Sequence, residues 1–391
     1  MIRKVIMGFA LVYCTFLSFN TSAQITTGQI DGRTNVVNTA VPFLRITPDA
    51  RSGAMGDAGV AISPDAYSIY NNLSKLPFAE KNAGIAVTYT PWLKELVNDV
   101  FLASVSGYTK LDDVQAVSGS LRYFSLGTIN FTDVTGVPTG DFRPREFALD
   151  AGYARKLGEH FSLGLTGHYI YSNLAGGQTR DNVVIKPAQT FAVDFSGFYT
   201  KDFEKDDGLS NRLSLGFAIS NLGAKLSYTS SAQYKDFLPT NLTLGGAYTV
   251  ALDEKNDLTF ALDISKLLVP TPDSSGNYKS KGTLEGIFSS FGDAPGGMKE
   301  ELQELMYSVG MEYWYNKVFA VRAGYFNENK YKGNRKYFTA GMGVKYDIFG
   351  LNFSYLVPSG TGTQRNPLSN TLRFTLTFDL GPRDEESRTG W

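Results

Sequence analysis

Apolar and polar residues alternate with a period of two along most of the chain, between about residues 83 and 380. In one stretch, Tyr307 and Val309 alternate with Ser308 and Gly310. A period of two places successive side chains on opposite faces of a β-strand. The pattern therefore predicts strands of roughly ten residues, which we place at 83–90, 99–108, 114–124, 145–155, 160–171, 188–200, 211–220, 241–250, 257–268, 306–315, 317–327, 336–346, 349–357 and 370–380.

The links between these strands alternate in length. Short turns are predicted around Asp112, Gly158, Asn316 and Asp347, and the link at 201–210 is somewhat longer. Outer-membrane barrels have short periplasmic turns and longer outside loops. We therefore expect the strand array to start and finish at the periplasmic side, with both chain termini there. The long links, expected at the cell surface, span 125–144, 172–187, 221–240, 269–305 and 358–369.

The composition favours a membrane barrel. Aromatic residues make up 13% of the chain and glycine occurs 40 times, which fits interfacial girdles and tight turns. After the N-terminal stretch, no apolar run reaches roughly 18 residues, which excludes a helical membrane protein. The predicted fold class is all-β, an antiparallel transmembrane β-barrel of about 14 strands. A secreted soluble β-sandwich is the alternative, and it is less favoured because so many strands form one unbroken array.

The first residues, 1–23, read as a secretory signal peptide. Arg3 and Lys4 precede an apolar stretch, and Ala23 ends a small-residue cleavage site. Cys14, the single cysteine of the chain, lies inside this peptide, so the mature chain offers neither a disulfide nor a thiolate metal ligand. The chain has 37 basic and 38 acidic residues, which leaves no basic excess for binding nucleic acid.

Removal of the signal peptide leaves three parts. Residues 24–82 show no strand alternation and form an N-terminal segment. Residues 83–380 form the barrel, and residues 381–391 form a C-terminal tail on the periplasmic side. The tail begins with Gly381 and Pro382, which break the strand ladder.

The N-terminal segment (residues 24–82) is predicted to plug the barrel from within or beneath. A barrel of this size encloses more space than its own side chains fill, because about eight strands already suffice for a filled interior. The segment is rich in glycine, which suits close approach to other backbones. The candidate plug residues, with the polar ones bonded to backbone or lumen groups, are Gly53, Gly56, Asp57, Gly59, Asp65, Asn71 and Asn72.

The same segment carries a family resemblance. The run from Gly53 leads to Asp65-Ala66 and then to Asn71-Asn72-Leu73-Ser74-Lys75-Leu76, which resembles the N-terminal signature of FadL-like outer-membrane barrels. Asn72 stands where the hydrophobic-substrate transporters of that family have proline. The longer run PFLRITPDARSGAMG, residues 42–56, is similar to the PorV (also called LptO) family of the type IX secretion system.

This resemblance implies a non-enzymatic outer-membrane component of type IX protein secretion. Such proteins bind secreted cargo through its C-terminal signal domain at a translocon of the Sov or SprA type. They deliver it to an attachment complex, where a PorU-type sortase joins the cargo to lipopolysaccharide at the cell surface. The loop aromatic residues that could contact cargo or these partners are Trp92, Phe131, Phe142, Tyr228, Phe237, Phe288 and Phe291.

Two other functions stay open from the sequence. A FadL-like transporter of hydrophobic small molecules needs a continuous apolar path through the lumen. A lipid esterase needs His160 or His168 within hydrogen-bond reach of a serine and an acid, and the sequence gives His168 no obvious partner. The two histidines are about 26 Å apart along a strand, so they cannot share a metal ion. No cofactor is expected.

The link 269–305 contains one further pattern. Met298, Leu302, Leu305 and Met306 recur at helical spacing among glutamates, which predicts a short amphipathic helix. This helix either packs on the barrel rim or offers a docking surface to a partner protein.

Overall fold

The computed structural model describes most of the mature chain. The predicted signal peptide and nearly all of the predicted C-terminal tail lie outside the described residues. Within the described ranges, no helix is both long enough and apolar enough to cross a membrane. The described residues are 35–92, 99–132, 135–177, 179–180, 183–206, 208–229, 235–272, 277–358 and 371–381.

Fourteen of the strands in the described residues close into one antiparallel barrel. Each barrel strand pairs with its neighbour along the chain, and the first pairs with the last, with Ala83 opposite Leu380. The prediction of a 14-stranded antiparallel transmembrane β-barrel is confirmed. The barrel strands are β1 (Ala83–Pro91), β2 (Val100–Lys110), β3 (Gln115–Leu126), β6 (Arg145–Lys156), β7 (Phe161–Asn173), β10 (Ala188–Glu204), β11 (Ser210–Gly223), β12 (Asn241–Asp253), β13 (Asn256–Leu267), β14 (Met306–Tyr315), β15 (Phe319–Asn327), β16 (Lys336–Tyr346), β17 (Phe349–Pro358) and β18 (Leu372–Leu380).

The two faces of the wall differ as the alternation predicts. Outward side chains such as Leu262 and Val309 are apolar and exposed, which suits contact with lipid. Inward side chains such as Glu312 and Arg322 are polar and buried. The barrel thus has a short-turn end, where β14 and β15 are joined by residues 316–318, and an opposite long-loop end.

Two long links contain strands that the sequence pattern did not predict. The link between β3 and β6 folds into a hairpin of β4 (Ile129–Thr132) and β5 (Pro138–Phe142). The link between β7 and β10 contains β8 (Thr179–Arg180) and β9 (Val183–Val184). Glycine and proline interrupt the alternation in the first of these links, so it read as irregular.

The link between β13 and β14 is helical in part, and residues 268–305 are named the helical loop below. It contains a 3-10 helix, Asn277–Ser280, and α-helices at Thr283–Ser289 and Met298–Gln303. The predicted amphipathic helix is therefore present, but it ends before Met306, which begins β14.

The described part of the N-terminal segment runs down through the barrel. Asn35 donates its backbone N–H to the carbonyl of Tyr331 (2.9 Å) in the β15–β16 link, at the long-loop end. Ala79 lies near Lys110, whose amine reaches the Ala79 carbonyl (3.4 Å) beside the β2–β3 turn. The short helices along this path are Pro42–Arg45 and Leu73–Phe78, both 3-10, and Ala50–Gly53 and Ser68–Asn71, both α.

The two described ends of the chain therefore lie at opposite ends of the barrel. Asn35 is at the long-loop end, whereas β18 ends at Leu380 beside the start of β1 at the short-turn end. The segment therefore crosses the whole lumen before it enters β1. The expectation that both termini lie on the periplasmic side stays a prediction, because residues 24–34 and 382–391 lie outside the described residues.

Candidate functional site in the lumen and at the mouth

The upper part of the N-terminal segment packs under the long-loop end of the barrel. Val41, Phe43 and Leu44 are buried there in one apolar cluster with residues of the wall and of the loops. The ring of Phe43 stacks on that of Phe124, with centroids 6.3 Å apart. Apolar burial of this extent fixes the segment at the mouth, because removing such side chains from water is strongly favourable.

The middle of the segment lies directly against the wall at Gly56 and Gly324. Gly56 has φ +67°, and a side chain there would meet the Tyr325 backbone at 2.6 Å. A side chain on Gly324 would lie 2.1 Å from backbone atoms of Met55 and Gly56. The Thr339 hydroxyl accepts from the Gly56 N–H (2.9 Å), which holds the two backbones in register. Two glycines facing one another are needed for this approach.

Other wall glycines follow the same path. They lie on several strands, and each faces a residue of the segment so closely that a side chain would clash. The wall glycines with the segment residues they face are Gly310 with Met55, Gly341 with Ala54, Gly216 and Gly245 with Val60, Gly152 with Leu73, and Gly164 with Leu73 and Ser74.

A buried ion network joins the segment to the wall. Arg51 Nη2 lies 2.7 Å from Glu312 Oε1 on β14, and Arg51 Nη1 lies 3.1 Å from Asp65 Oδ2. Arg322 on β15 donates from Nε to the other Glu312 oxygen (2.6 Å). A buried charge without its partner is costly, so these groups favour one position of the segment in the lumen.

A second polar contact holds the turn around Gly59. The Asp263 carboxylate of β13 accepts hydrogen bonds from the backbone N–H groups of Gly59 (2.8 Å) and Val60 (3.0 Å). The amine of Lys75 donates to the Gly59 carbonyl (2.7 Å). Lys75 is fully buried. The segment is thus bonded to the wall through its backbone as well as its side chains.

Three further candidate plug residues contact the barrel wall, in addition to Gly56 and Gly59. Asp57 accepts a hydrogen bond from the Tyr337 hydroxyl (2.5 Å). The Asn72 amide donates to the carbonyl of Gly197 (3.0 Å). Gly53 packs so closely on the guanidinium of Arg373 in β18 that a side chain at this position would lie 2.8 Å from it. Together with Gly56 and Gly59, these residues form the face that the segment presents to the wall.

The side chains of the two remaining candidates, Asp65 and Asn71, hold the segment to itself. Asp65 accepts from Arg51 (3.1 Å), and the Asn71 amide donates to the Ser52 hydroxyl (3.3 Å). A side chain on Gly59 would lie 2.5 Å from the Asn71 amide carbon. These contacts make the segment a compact unit rather than an extended strand.

The structure gives His168 two partners that sequence reasoning missed. Its Nδ1 lies 2.6 Å from Asp150 Oδ1, and its Nε2 lies 2.7 Å from Asp194 Oδ1. Arg122 Nε lies 3.3 Å from the second Asp150 oxygen. Both ring nitrogens face carboxylates, which leaves neither for a serine nucleophile. Asp150 and His168 pair directly across β6 and β7, and their equal distance from the turn between these strands was the available signal.

Three of the loop aromatic candidates are parts of the packing at the mouth. Trp92 is buried and meets the ring of Phe124 edge-on at 6.3 Å. Phe237 is buried under the amine of Lys225, 4.2 Å from the ring centre. Tyr228 is half-buried, and its hydroxyl is 2.9 Å from that of Ser172. These residues support the mouth rather than present a surface.

The other four aromatic candidates lie in two places. Phe131 and Phe142 are half-exposed on the β4–β5 hairpin. Phe288 and Phe291, on the helical loop, are 76% and 50% exposed. These four candidates thus divide between the β4–β5 hairpin and the helical loop.

Comparisons with known proteins match the chain to a family and to several barrels. The family described as "Type IX secretion system protein PorV" matches residues 29–274. No curated protein matches the sequence.

Among solved structures, the CymD monoaromatic hydrocarbon channel is similar, with 11% identity and a TM-score of 0.50 over 86% of this chain and 98% of that chain. The toluene transporter TodX of Pseudomonas putida has 12% identity and a TM-score of 0.49, over 84% of this chain and 96% of its own. A Pseudomonas aeruginosa FadL homologue has 12% identity and a TM-score of 0.42, over 88% and 99%. At this identity, the likeness to CymD concerns the fold alone.

Proposed function

The chain belongs to the PorV family of type IX secretion system proteins, and we propose that it receives secreted cargo at the outer membrane and passes it to cell-surface attachment. Family membership and the closed barrel point to the outer membrane and to type IX secretion. The proposal adds the finer steps: cargo is bound through its C-terminal signal domain at the Sov or SprA-type translocon, and is delivered to the PorU-type sortase complex.

One observation carries this proposal. The lumen holds the chain's own N-terminal segment, which the Arg51–Glu312–Arg322 network and the glycine contacts fix against the wall. A passenger protein would therefore be engaged from outside the barrel and not led through it. We place the long loops at the cell surface, where loops on a rigid scaffold commonly form binding surfaces.

The β4–β5 hairpin is the cargo contact that we propose. In the described residues its sheet contains only these two strands, so each has a free edge. A free edge can accept a further strand by main-chain hydrogen bonds. Ile129 and Val137 are exposed on it beside the half-exposed Phe131 and Phe142, which offers apolar contact next to the free edge.

The proposed role is non-enzymatic. The PorV family is not a family of enzymes. The histidine that an esterase would use, His168, is held between Asp150 and Asp194, which supports a structural role for this histidine.

Purification of complexes tests the proposal. The tagged protein would be isolated from outer membranes beside a variant in which residues 129–142 are replaced by a short glycine-serine link. Tyr346→Ala, a change of a 76% exposed aromatic residue at the short-turn end of β16, is the matched control. We expect the original chain and the control to recover translocon, sortase and signal-bearing cargo, and the hairpin variant to lose most of the cargo.

Two outcomes would count against it at different levels. Recovery of the original barrel without any secretion component would overturn the proposed function. Equal cargo recovery by the hairpin variant would leave the function intact and remove the hairpin from it.

The alternative, transport of hydrophobic small molecules, has support only from the shared fold. CymD is a monoaromatic hydrocarbon channel by its description. In this chain the ions of Arg51, Glu312 and Arg322 lie buried across the lumen, and such groups are unfavourable on an apolar path.

A further inference from the structure

The helical loop carries an apolar face that the protein itself leaves uncovered. Five large apolar side chains on it are between 50% and 76% exposed. In each helix two of them are four residues apart, which places them on one face. They are Leu284 and Phe288 in Thr283–Ser289, Met298 and Leu302 in Met298–Gln303, and Phe291 between the helices.

The second of these helices is bonded to a lysine in the outward-facing row of β13. Lys266 shares its alternation on β13 with Leu262 and Ile264, which face away from the lumen. The Lys266 amine bonds to Glu301 Oε2 (3.0 Å) and to Glu304. Glu304 also bonds to Lys332 of the β15–β16 link (2.9 Å), so the helix lies on the rim above β13 and β14.

The rotation of this helix points its apolar side away from the mouth. Glu300 accepts hydrogen bonds from the amine of Lys332 (2.5 Å), in the β15–β16 link, and from the side-chain amide of Asn35 (3.4 Å). Both donors lie at the mouth. Residues two positions apart on a helix are separated by about 200°. Met298 and Leu302, each two positions from Glu300, therefore lie on the opposite side.

This side is continuous with the lipid-facing wall. The chain leaves the helix and enters β14, where Tyr307 and Val309 face outward and are exposed. Tyrosine at such a height is typical of the membrane interface. Leu302 thus lies only a few residues above the apolar band of the barrel.

The first helix, Thr283–Ser289, also packs on one side and is exposed on the other. Gly286 lies so close to Phe237 and Pro270 that a side chain would meet them at 2.8 and 3.0 Å. Leu284 and Phe288, two residues to either side of it, are the most exposed apolar residues of this helix. One side of the helix therefore rests on the neighbouring loop and the other is open.

We propose that this apolar face rests in the boundary between headgroups and acyl chains of the outer leaflet. The helical loop then acts as an interfacial anchor beside the barrel, as amphipathic helices do when they lie in the plane of a membrane. Exposed apolar patches of this kind mark interaction sites, and continuity with the lipid-facing wall selects lipid as the occupant. The inference is independent of the secretion role and goes beyond it.

Single-cysteine labelling tests the anchor, because the mature chain contains no cysteine of its own. Phe288→Cys and Leu302→Cys, one on each helix, would carry an environment-sensitive dye in phosphatidylcholine vesicles with a nitroxide on some headgroups. Val309→Cys on the wall is the lipid control, and Asp141→Cys on the projecting hairpin is the aqueous control. Heat-modifiability on gels verifies that each variant is folded.

We expect dyes at residues 288 and 302 to be quenched several-fold more strongly by the nitroxide lipid than the dye at residue 141. We also expect their emission to be blue-shifted towards that at residue 309. Quenching equal to that at residue 141 would overturn the proposal. The proposal would also be overturned if the emission at residues 288 and 302 shifts to the blue only after outer-membrane extract is added. That result would show that a protein, and not lipid, covers the apolar face.

Discussion

At the scale of single residues, the contact between Gly56 and Gly324 is the most sensitive point of the lumen. We predict that Gly56→Leu destabilises the barrel, because the left-handed φ of +67° and the 2.6 Å approach to Tyr325 both exclude a side chain. Strain costs about 1–2 kcal/mol, and overpacking adds about 1–3 kcal/mol. The temperature at which the barrel loses its folded mobility on gels measures the effect.

Two control variants separate the causes. Gly208 has φ +78° with open space around it, so Gly208→Leu reports backbone strain without crowding. Ala323→Leu adds the same bulk on the exposed face of β15, next to Gly324. If Gly56→Leu melts no lower than Gly208→Leu, the segment does not press on the wall at this point.

The sequence could predict some of these residues and not others. The density of glycine around Gly56 indicated close backbone approach, since few other roles need so many glycines. The partner Gly324 was hidden, because a wall glycine gives no signal of what it faces. The pairing of His168 with Asp150 could be predicted from their equal distance from the β6–β7 turn, whereas Asp194 comes from a third strand and only the pairing of β7 with β10 brings it near.

At the scale of elements, the links differ in what they tolerate. We predict that a short epitope inserted at Asn277, in the helical loop, leaves the barrel folded. The same insertion at Asn316 should prevent folding, because Asn316 and Lys317 (φ 52° and 53°) form the tight turn that sets the β14–β15 register. Heat-modifiability checks folding, and antibody binding to intact cells checks exposure.

The insertion at Asn277 also tests the orientation that we propose. Antibody should reach it on intact cells, and should reach a tag at Gly208, in the β10–β11 turn, only after the cells are opened. The reverse result would show that the barrel has the opposite orientation in the membrane, with its long loops in the periplasm. Failure of both insertions to fold would show that the helical loop is as restrictive as a turn.

Most of the strands could be predicted from the sequence, because the side chains of a barrel strand point alternately to lipid and to the lumen. The turns were readable for the same reason, since alternation stops at them. The β4–β5 hairpin was not, because Pro138 and Gly140 interrupt the alternation in its short second strand. The sequence could not predict how the loop helix is held, because the salt bridges of Lys266 with Glu301 and Glu304 join residues far apart in the chain.

At the scale of the whole molecule, the barrel and the N-terminal segment form one unit. The path of the segment from the long-loop end to the short-turn end could not be predicted, because its contacts come from strands around the whole barrel. The structure places Asp263, Glu312 and Arg322 against it. These wall residues would face water if the segment were absent, and a polar interior is what open barrels have.

We therefore predict that deleting residues 43–76 turns a closed barrel into a conducting one. In planar bilayers the variant should show discrete current steps well above those of the original chain. The steps arise because a barrel of this width leaves an interior that its own side chains do not fill. The variant without residues 129–142 is the matched control, since it removes a hairpin outside the lumen and should conduct like the original chain. Equal conductance of all three proteins would show that the segment does not close the barrel.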